Sequence, residues 1–120
     1  MIPAAAPVAS LAPTASLQRF DAYRLALAFR AQVVRWLPLK RAELSDQLDR
    51  ASLSCALNIA EGAGRAGRDQ ARHYGIARGS AFECLAVLDL VALEATQPES
   101  REARAILLRL MAVLTALIRR

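Results

Sequence analysis

The side chains able to do chemistry in this chain are few and scattered. His73 is the only histidine, one helical turn after Asp69, a spacing at which a carboxylate can orient an imidazole for acid–base work. At the start of a helix the same spacing more often makes a surface or capping contact, and that plainer role is expected. None of the serines stands in a nucleophile-elbow context. The acids, Glu61 and Glu83 among them, do not form the Glu-x-x-His pattern of a di-iron bundle. Gly62-Ala-Gly-Arg-Ala-Gly67 is glycine-rich, but no strand precedes it, so it reads as a helix–helix turn and not as a phosphate loop. Cys55 and Cys84 sit among small residues in helical patterns and read as small buried apolar groups in a reducing compartment. A disulfide or a metal pair is the lesser alternative, since no histidine cluster completes a zinc shell. No cofactor or metal is implied, and the chain reads as non-enzymatic.

Two polar groups are more informative. Asn58 borders an apolar stripe, with Glu61 one turn on, while Ser80 and Glu83 fall beside Ile76 and Val87. An unsatisfied buried polar group costs about 1–3 kcal/mol, so these residues need partners. Asn58, Glu61, Ser80 and Glu83 are expected to form an inter-helix network with Arg65 or Arg78; the alternative is a ligand- or partner-binding notch. The second group is basic. Fifteen of the sixteen cations are arginine and the formal charge is +5. Arginine binds phosphate bidentately, so either a nucleic-acid partner or simple solubilisation of an apolar bundle is open. Arg65, Arg68, Arg72 and Arg78 gather around the glycine turn, and Lys40 and Arg41 occupy a loop at the opposite end. These six are the candidate nucleic-acid contacts. Aromatics make up only 5%, so base stacking on single strands is not indicated; backbone-directed, salt-sensitive binding is. Repetition around a ring-shaped oligomer would strengthen such patches.

These residues must be positioned by helices. Hydrophobic residues reach 55%, with an excess of alanine and leucine, good helix formers. One domain is expected at this length: an all-α, antiparallel up-down-up-down four-helix bundle over 17–120, preceded by a flexible, disordered Ala/Pro-rich tail over 1–16. The tail has no basic region before a continuous apolar run, and Pro3, Pro7 and Pro13 interrupt it, making it a poor signal peptide and the cytoplasm the expected location.

The first helix should span about Leu17–Trp36, with Phe20, Tyr23, Leu27, Ala31 and Val34 on one face and Ala22, Leu25, Phe29, Val33 and Trp36 on the opposite one. Two stripes suggest two neighbours. The second should span Ala42–Ala63, its core stripe Leu44, Leu48, Ala51, Cys55, Ile59 and Gly62, with i,i+4 pairs Asp46–Arg50 and Glu61–Arg65. The third should run from Asp69 to about Ala95, its apolar face Tyr74, Ala77, Ala81, Cys84, Leu85, Leu88 and Ala92. The fourth should open at a capping box, Thr96-Gln-Pro-Glu99. Between Ala105 and Ile118 only Arg109 and Thr115 are polar, too short a run for a membrane span and better suited to a subunit interface.

The stretch from Leu44 to Arg65, ending Asn58-Ile-Ala-Glu-Gly-Ala-Gly-Arg65, resembles the signature of the bacterial four-helix bundle proteins first noted as products of intervening sequences in large-subunit ribosomal RNA genes. Tyr74-Gly-Ile-Ala-Arg-Gly-Ser-Ala-Phe-Glu83 resembles the same family's third helix. The family includes the accessory variability determinant of diversity-generating retroelements. That protein forms a homopentamer, binds nucleic acid and associates with a reverse transcriptase. The resemblance therefore implies an up-down bundle, a pentamer and no catalytic residues, and the first reading is a nucleic-acid-binding accessory protein that scaffolds a reverse transcriptase and RNA. A structural or protein-interaction bundle with no direct nucleic-acid role is the alternative.

Overall fold

A computed structural model describes residues 17–95 and 100–120. The expected tail over 1–16 and the expected capping box at Thr96–Glu99 lie outside the described residues. The chain enters through a 3-10 turn, Leu17–Arg19. Four helices follow: α1 Asp21–Trp36, α2 Ala42–Ala63, α3 Gly67–Glu94 and α4 Arg101–Ile118. No described helix is long and apolar enough to cross a membrane.

Each helix ends for a local reason. α1 stops at Trp36, before the cis Leu37–Pro38 peptide. Buried Leu39 then donates its N–H to the Ser45 hydroxyl at 2.9 Å, tying the connector to α2. α4 starts at Arg101 because the Ser100 side chain accepts from the Ala103 N–H at 3.2 Å, a serine N-cap. α3 starts two residues before the expected Asp69. Gly67 takes φ +59° there, a left-handed conformation that glycine reaches without steric cost. The far end of α3 uses the same region less comfortably, since its C-cap is Ala95 at φ 52°, ψ 35°.

Successive helices run antiparallel, as their contacts show. Arg19 and Ala63 line one hollow, while Arg30 on α1 reaches Asp49 and Ser52 on α2. Asn58 meets His73, Ser54 meets Ser80, and Arg41 meets Glu94. On the next pair Arg78 meets Thr115 and Asp89 meets Arg104. α4 closes the square against α1, and α2–α3 is the most extensive of the four interfaces.

That interface is built from small residues. Ala51, Cys55, Ala56 and Gly62 of α2 and Ala77, Ala81 and Cys84 of α3 are all buried. The Cys55 Sγ reaches the Ala77 carbonyl at 3.5 Å. Neighbouring Cys55 and burial both push the Cys84 thiol up, so it stays protonated. The larger buried side chains, Phe29, Leu48, Ile59, Leu107, Leu110 and Leu114, fill the centre, each contributing about 1.5–3 kcal/mol by leaving water.

All six residues of the expected α2 stripe are buried, joined by Ser45, Ser52 and Ala56. The others differ. On α1 only Ala22, Ala26, Phe29 and Val33 are fully buried; Phe20, Tyr23 and Leu27 are half-buried and Val34 is exposed. On α3 the buried stripe passes through Val87 and Val91, leaving Leu85 and Leu88 half-buried and Ala92 exposed. This seam follows α2, the closer neighbour. α4 is not buried all round: Ala103, Leu107, Leu110 and Leu114 face inward, and Leu108 is exposed. Asp46 and Arg50 make no ion pair; with its amide oriented to satisfy both neighbours, Gln47 accepts from Arg50 instead.

A Cβ added at Gly62 would stand 2.6 Å from Tyr74 Cε1 and 2.8 Å from Cδ1. Overpacking costs about 1–3 kcal/mol and exceeds the propensity gain of glycine-to-alanine, so Gly62→Ala should lower unfolding free energy in urea. Ala95→Gly should raise it, by about 1 kcal/mol, by relieving the left-handed alanine.

Candidate nucleic-acid interface

The antiparallel arrangement brings four segments to one end of the bundle: the 3-10 turn and start of α1, the end of α2, the start of α3 and the end of α4. Phe20, Gly67, Leu117 and Arg120 line a common hollow there. At this end residues 17–24, 61–72 and 117–120 carry Arg19, Arg24, Arg65, Arg68, Arg72, Arg119 and Arg120. Against these seven stand three acids, Asp21, Glu61 and Asp69, a net of four positive charges. At the other end, residues 33–44, 89–95 and 100–104 carry five cations and four acids. The excess of positive charge therefore belongs to the end with the α2–α3 turn.

The turn itself is tightly tied. Gly64 caps α2, its N–H directed at the carbonyls of Ala60 and Glu61. Gln70 Nε2 donates across the turn to the Gly62 and Arg65 carbonyls at 3.1 and 2.8 Å. Arg65 bridges Glu61 at 2.8 Å and Asp69 at 2.7 Å, and Asp69 also accepts from Arg72 at 3.0 Å. Hydrogen bonds from Arg65 hold both carboxyls below their usual range, helped at Asp69 by Arg72. Their stabilising contribution is present above the ordinary carboxylate range and is lost as pH falls through the lowered values. Both are exposed to solvent, so each pair contributes little.

The six candidate contacts are thus unequal. Lys40 and Arg68 are exposed with no ion-pair partner among the described residues. Arg41 donates to both carboxylate oxygens of Glu94 at 3.0 Å and to Glu43 at 3.1 Å, which hold its guanidinium charged above the usual range. Arg65 and Arg72 are engaged as described. Arg78 donates to Thr115 at 2.7 Å and stacks 4.8 Å from the Phe82 ring centre, tying α3 to α4. Arg19, Arg24, Arg119 and Arg120 join Arg68 at the turn end; they lie far from it in sequence, and only the rule that neighbouring helices alternate direction brings them there.

The polar residues separate into linked and unlinked members. Ser80 donates to the Ser54 hydroxyl at 2.8 Å, and Asn58 Nδ2 donates to the Ser54 carbonyl and hydroxyl at 3.0 and 3.1 Å. His73 Nδ1 donates to Asn58 Oδ1 at 3.1 Å, and its Nε2 accepts from Arg72 at 3.1 Å. These bonds fit the tautomer with the proton on Nδ1. His73 is therefore 9% exposed and held in the α2–α3 seam; the expected surface contact with Asp69 survives only as a 4.0 Å approach. Asn58 fixes it because the imidazole faces α2, on the same side of α3 as Ser80. Glu61 turns outward to Arg65, and Glu83 accepts from Gln47 at 3.1 Å. Sequence reading missed Arg30, which donates to the Asp49 carbonyl, the Asp49 carboxylate and the Ser52 hydroxyl at 3.0, 2.7 and 2.8 Å.

Asn58→Ala should therefore cost about 1–3 kcal/mol in urea unfolding, because buried His73 loses its partner and half-buried Ser54 loses a donor. Glu61→Ala, at an exposed position, should cost clearly less than Asn58→Ala in the same assay.

Comparison with known proteins gives one result of weight. No curated protein sequence matches the chain. A family model described as 23S rRNA-intervening sequence protein matches residues 18–116, a span that covers α1, α2, α3 and all but the last two residues of α4. The chain belongs to the 23S rRNA-intervening sequence protein family.

Proposed function

We propose that the chain is a non-enzymatic, self-associating accessory protein that binds nucleic acid through its basic turn end. The observation behind this reading is the charge asymmetry: seven arginines against three acids at one end, near balance at the other. Arg19, Arg68, Arg119 and Arg120 are exposed there, and arginine forks match phosphate oxygens.

Self-association draws on a second observation. Val34 of α1, Leu53 and Leu57 of α2, Ile76, Phe82, Leu90 and Leu93 of α3 and Leu108 of α4 are exposed, Leu57 at 65% and Leu93 at 81%. Exposed apolar residues on all four helices suit contacts with further copies of the chain, and a head-to-tail contact of that kind can close into a ring, the homopentamer that the family resemblance implies. A ring of this kind would point every turn end the same way and multiply the phosphate-binding surface. A reverse transcriptase as further partner follows from the same resemblance. The rival reading, a protein-interaction bundle with no nucleic-acid role, draws on the local pairing of Arg41, Arg65 and Arg72.

The test is a fluorescence-anisotropy titration of RNA and DNA oligonucleotides across a salt series, on a sample whose mass is measured by light scattering. Arg68→Glu combined with Arg119→Glu should weaken binding about tenfold or more and flatten the salt slope by roughly one unit per lost phosphate contact. Lys40→Glu should change affinity by less than about twofold. Equal effects at the two ends, or binding indifferent to salt, would contradict the assignment; a monomeric mass would contradict the ring.

A further inference from the structure

Two neighbouring hollows open on the basic end. The larger, about 500 Å³, lies among Phe20, Gln70, Tyr74, Leu117 and Arg120. The smaller, about 360 Å³, lies among Leu17, Arg19, Phe20 and Tyr74. Phe20 and Tyr74 line both, so the hollows adjoin at this aromatic pair as one groove, Arg120 lining the larger part and Arg19 the smaller. The two rings are 5.9 Å apart at 45°.

The polar groups along this groove are unevenly satisfied. Tyr74 is only 5% exposed, and its hydroxyl bonds to no described residue, although a buried phenol ordinarily finds a partner. That oxygen is not sealed from solvent, and the hollows are what the residue opens onto. The ring cannot withdraw toward α2, because its edge already lies against Gly62. Gln70, which lines the larger hollow, has committed its Nε2 to the Gly62 and Arg65 carbonyls, which leaves its Oε1 free to accept. Arg19 and Arg120 are exposed.

An aromatic floor, a phenol hydroxyl, an amide oxygen and a guanidinium at either end define a narrow class of ligand. It is flat, polar at its edge, and flanked by negative charge on both sides. A saturated acyl carboxylate would use one arginine and leave the hydroxyl unmet. A base inside a duplex is paired at its edge and stacked on both faces, and so cannot enter. We propose that this groove takes an unpaired nucleobase of a single strand, its ring against Phe20, its edge at Tyr74 and Gln70, and its neighbouring phosphates at Arg19 and Arg120. The inference rests on the reading of the basic end as a nucleic-acid surface and adds single-strand selectivity to it. It reverses the expectation that base stacking plays no part: the overall aromatic content is low, but two of the aromatics, 54 positions apart in sequence, meet between the arginines.

The test compares three probes on the full chain: a short thymidine strand, an abasic strand with the same number of phosphates, and a blunt duplex. The native protein should bind the thymidine strand about tenfold more tightly than the abasic one. Phe20→Leu keeps an apolar side chain but removes the stacking face, and Tyr74→Phe removes only the hydroxyl. Each should shrink that preference severalfold while leaving abasic-strand and duplex affinity unchanged, and Tyr74→Phe, which removes only an unbonded hydroxyl, should also leave the thermal melting profile unchanged. Equal, salt-sensitive binding of thymidine and abasic strands by the native protein would overturn the groove assignment and leave the basic-end reading standing. So would an undiminished preference in both variants. Failure to bind any of the three probes would overturn both.

Discussion

α2 and α3 approach closely enough that Gly62 has no room for a methyl group beside Tyr74, and the rest of the molecule is arranged around that approach. Small residues permit it along the whole seam: Ala51, Cys55 and Ala56 on one helix, Ala77, Ala81 and Cys84 on the other. A seam of small residues gives little register specificity by itself. The chain Ser80–Ser54–Asn58–His73 supplies it, because each group is satisfied only when α2 and α3 are correctly aligned. Once that register is set, the turn over 63–67 is fixed in place. Tyr74 then stands against Phe20, bringing the start of α1 and the end of α4 to the same pole.

Electrostatics divides the surface along the same axis. At the pole with the α1–α2 connector, Arg41 is matched by Glu94 and Glu43, and Arg104 by Asp89. At the turn pole the acids Glu61 and Asp69 are used within the turn by Arg65 and Arg72, and the remaining arginines exceed them. A net charge of +5 is modest when spread over a domain. The net of four held at the turn pole, repeated by the proposed self-association, would become a directional field for a polyanion.

How much of this was legible beforehand varied with the kind of signal. α2 was read most closely, because Leu44, Leu48, Ala51, Cys55, Ile59 and Gly62 keep an unbroken helical spacing and the glycines after it end the helix; the burial of Ser45, Ser52 and Ala56 beside them was not visible in that pattern. The resemblance carried by Asn58 to Arg65 pointed to the family that the family model assigns. α3 was less transparent: its outer positions include Gly75, Gly79, Phe82 and Leu90, so apolarity did not separate the buried side from the exposed one. His73 was misplaced for a related reason. Its partner Asn58 lies on another helix, and only the register between helices shows that the imidazole is sheltered. The same holds for the basic pole, since the grouping of Arg19, Arg68 and Arg120 exists only once alternating helix directions are laid side by side. Charge content was visible in the sequence; charge placement required the fold.

The central claim is that one pole of the bundle, and not both, is the nucleic-acid surface. Hydrogen–deuterium exchange of the backbone, with and without a saturating single-stranded oligonucleotide, addresses it directly. The account predicts slowed exchange confined to residues 17–24, 63–74 and 116–120, with residues 36–45 and 89–95 unchanged. Protection at the opposite pole, or along the helix sides without the turn, would contradict it.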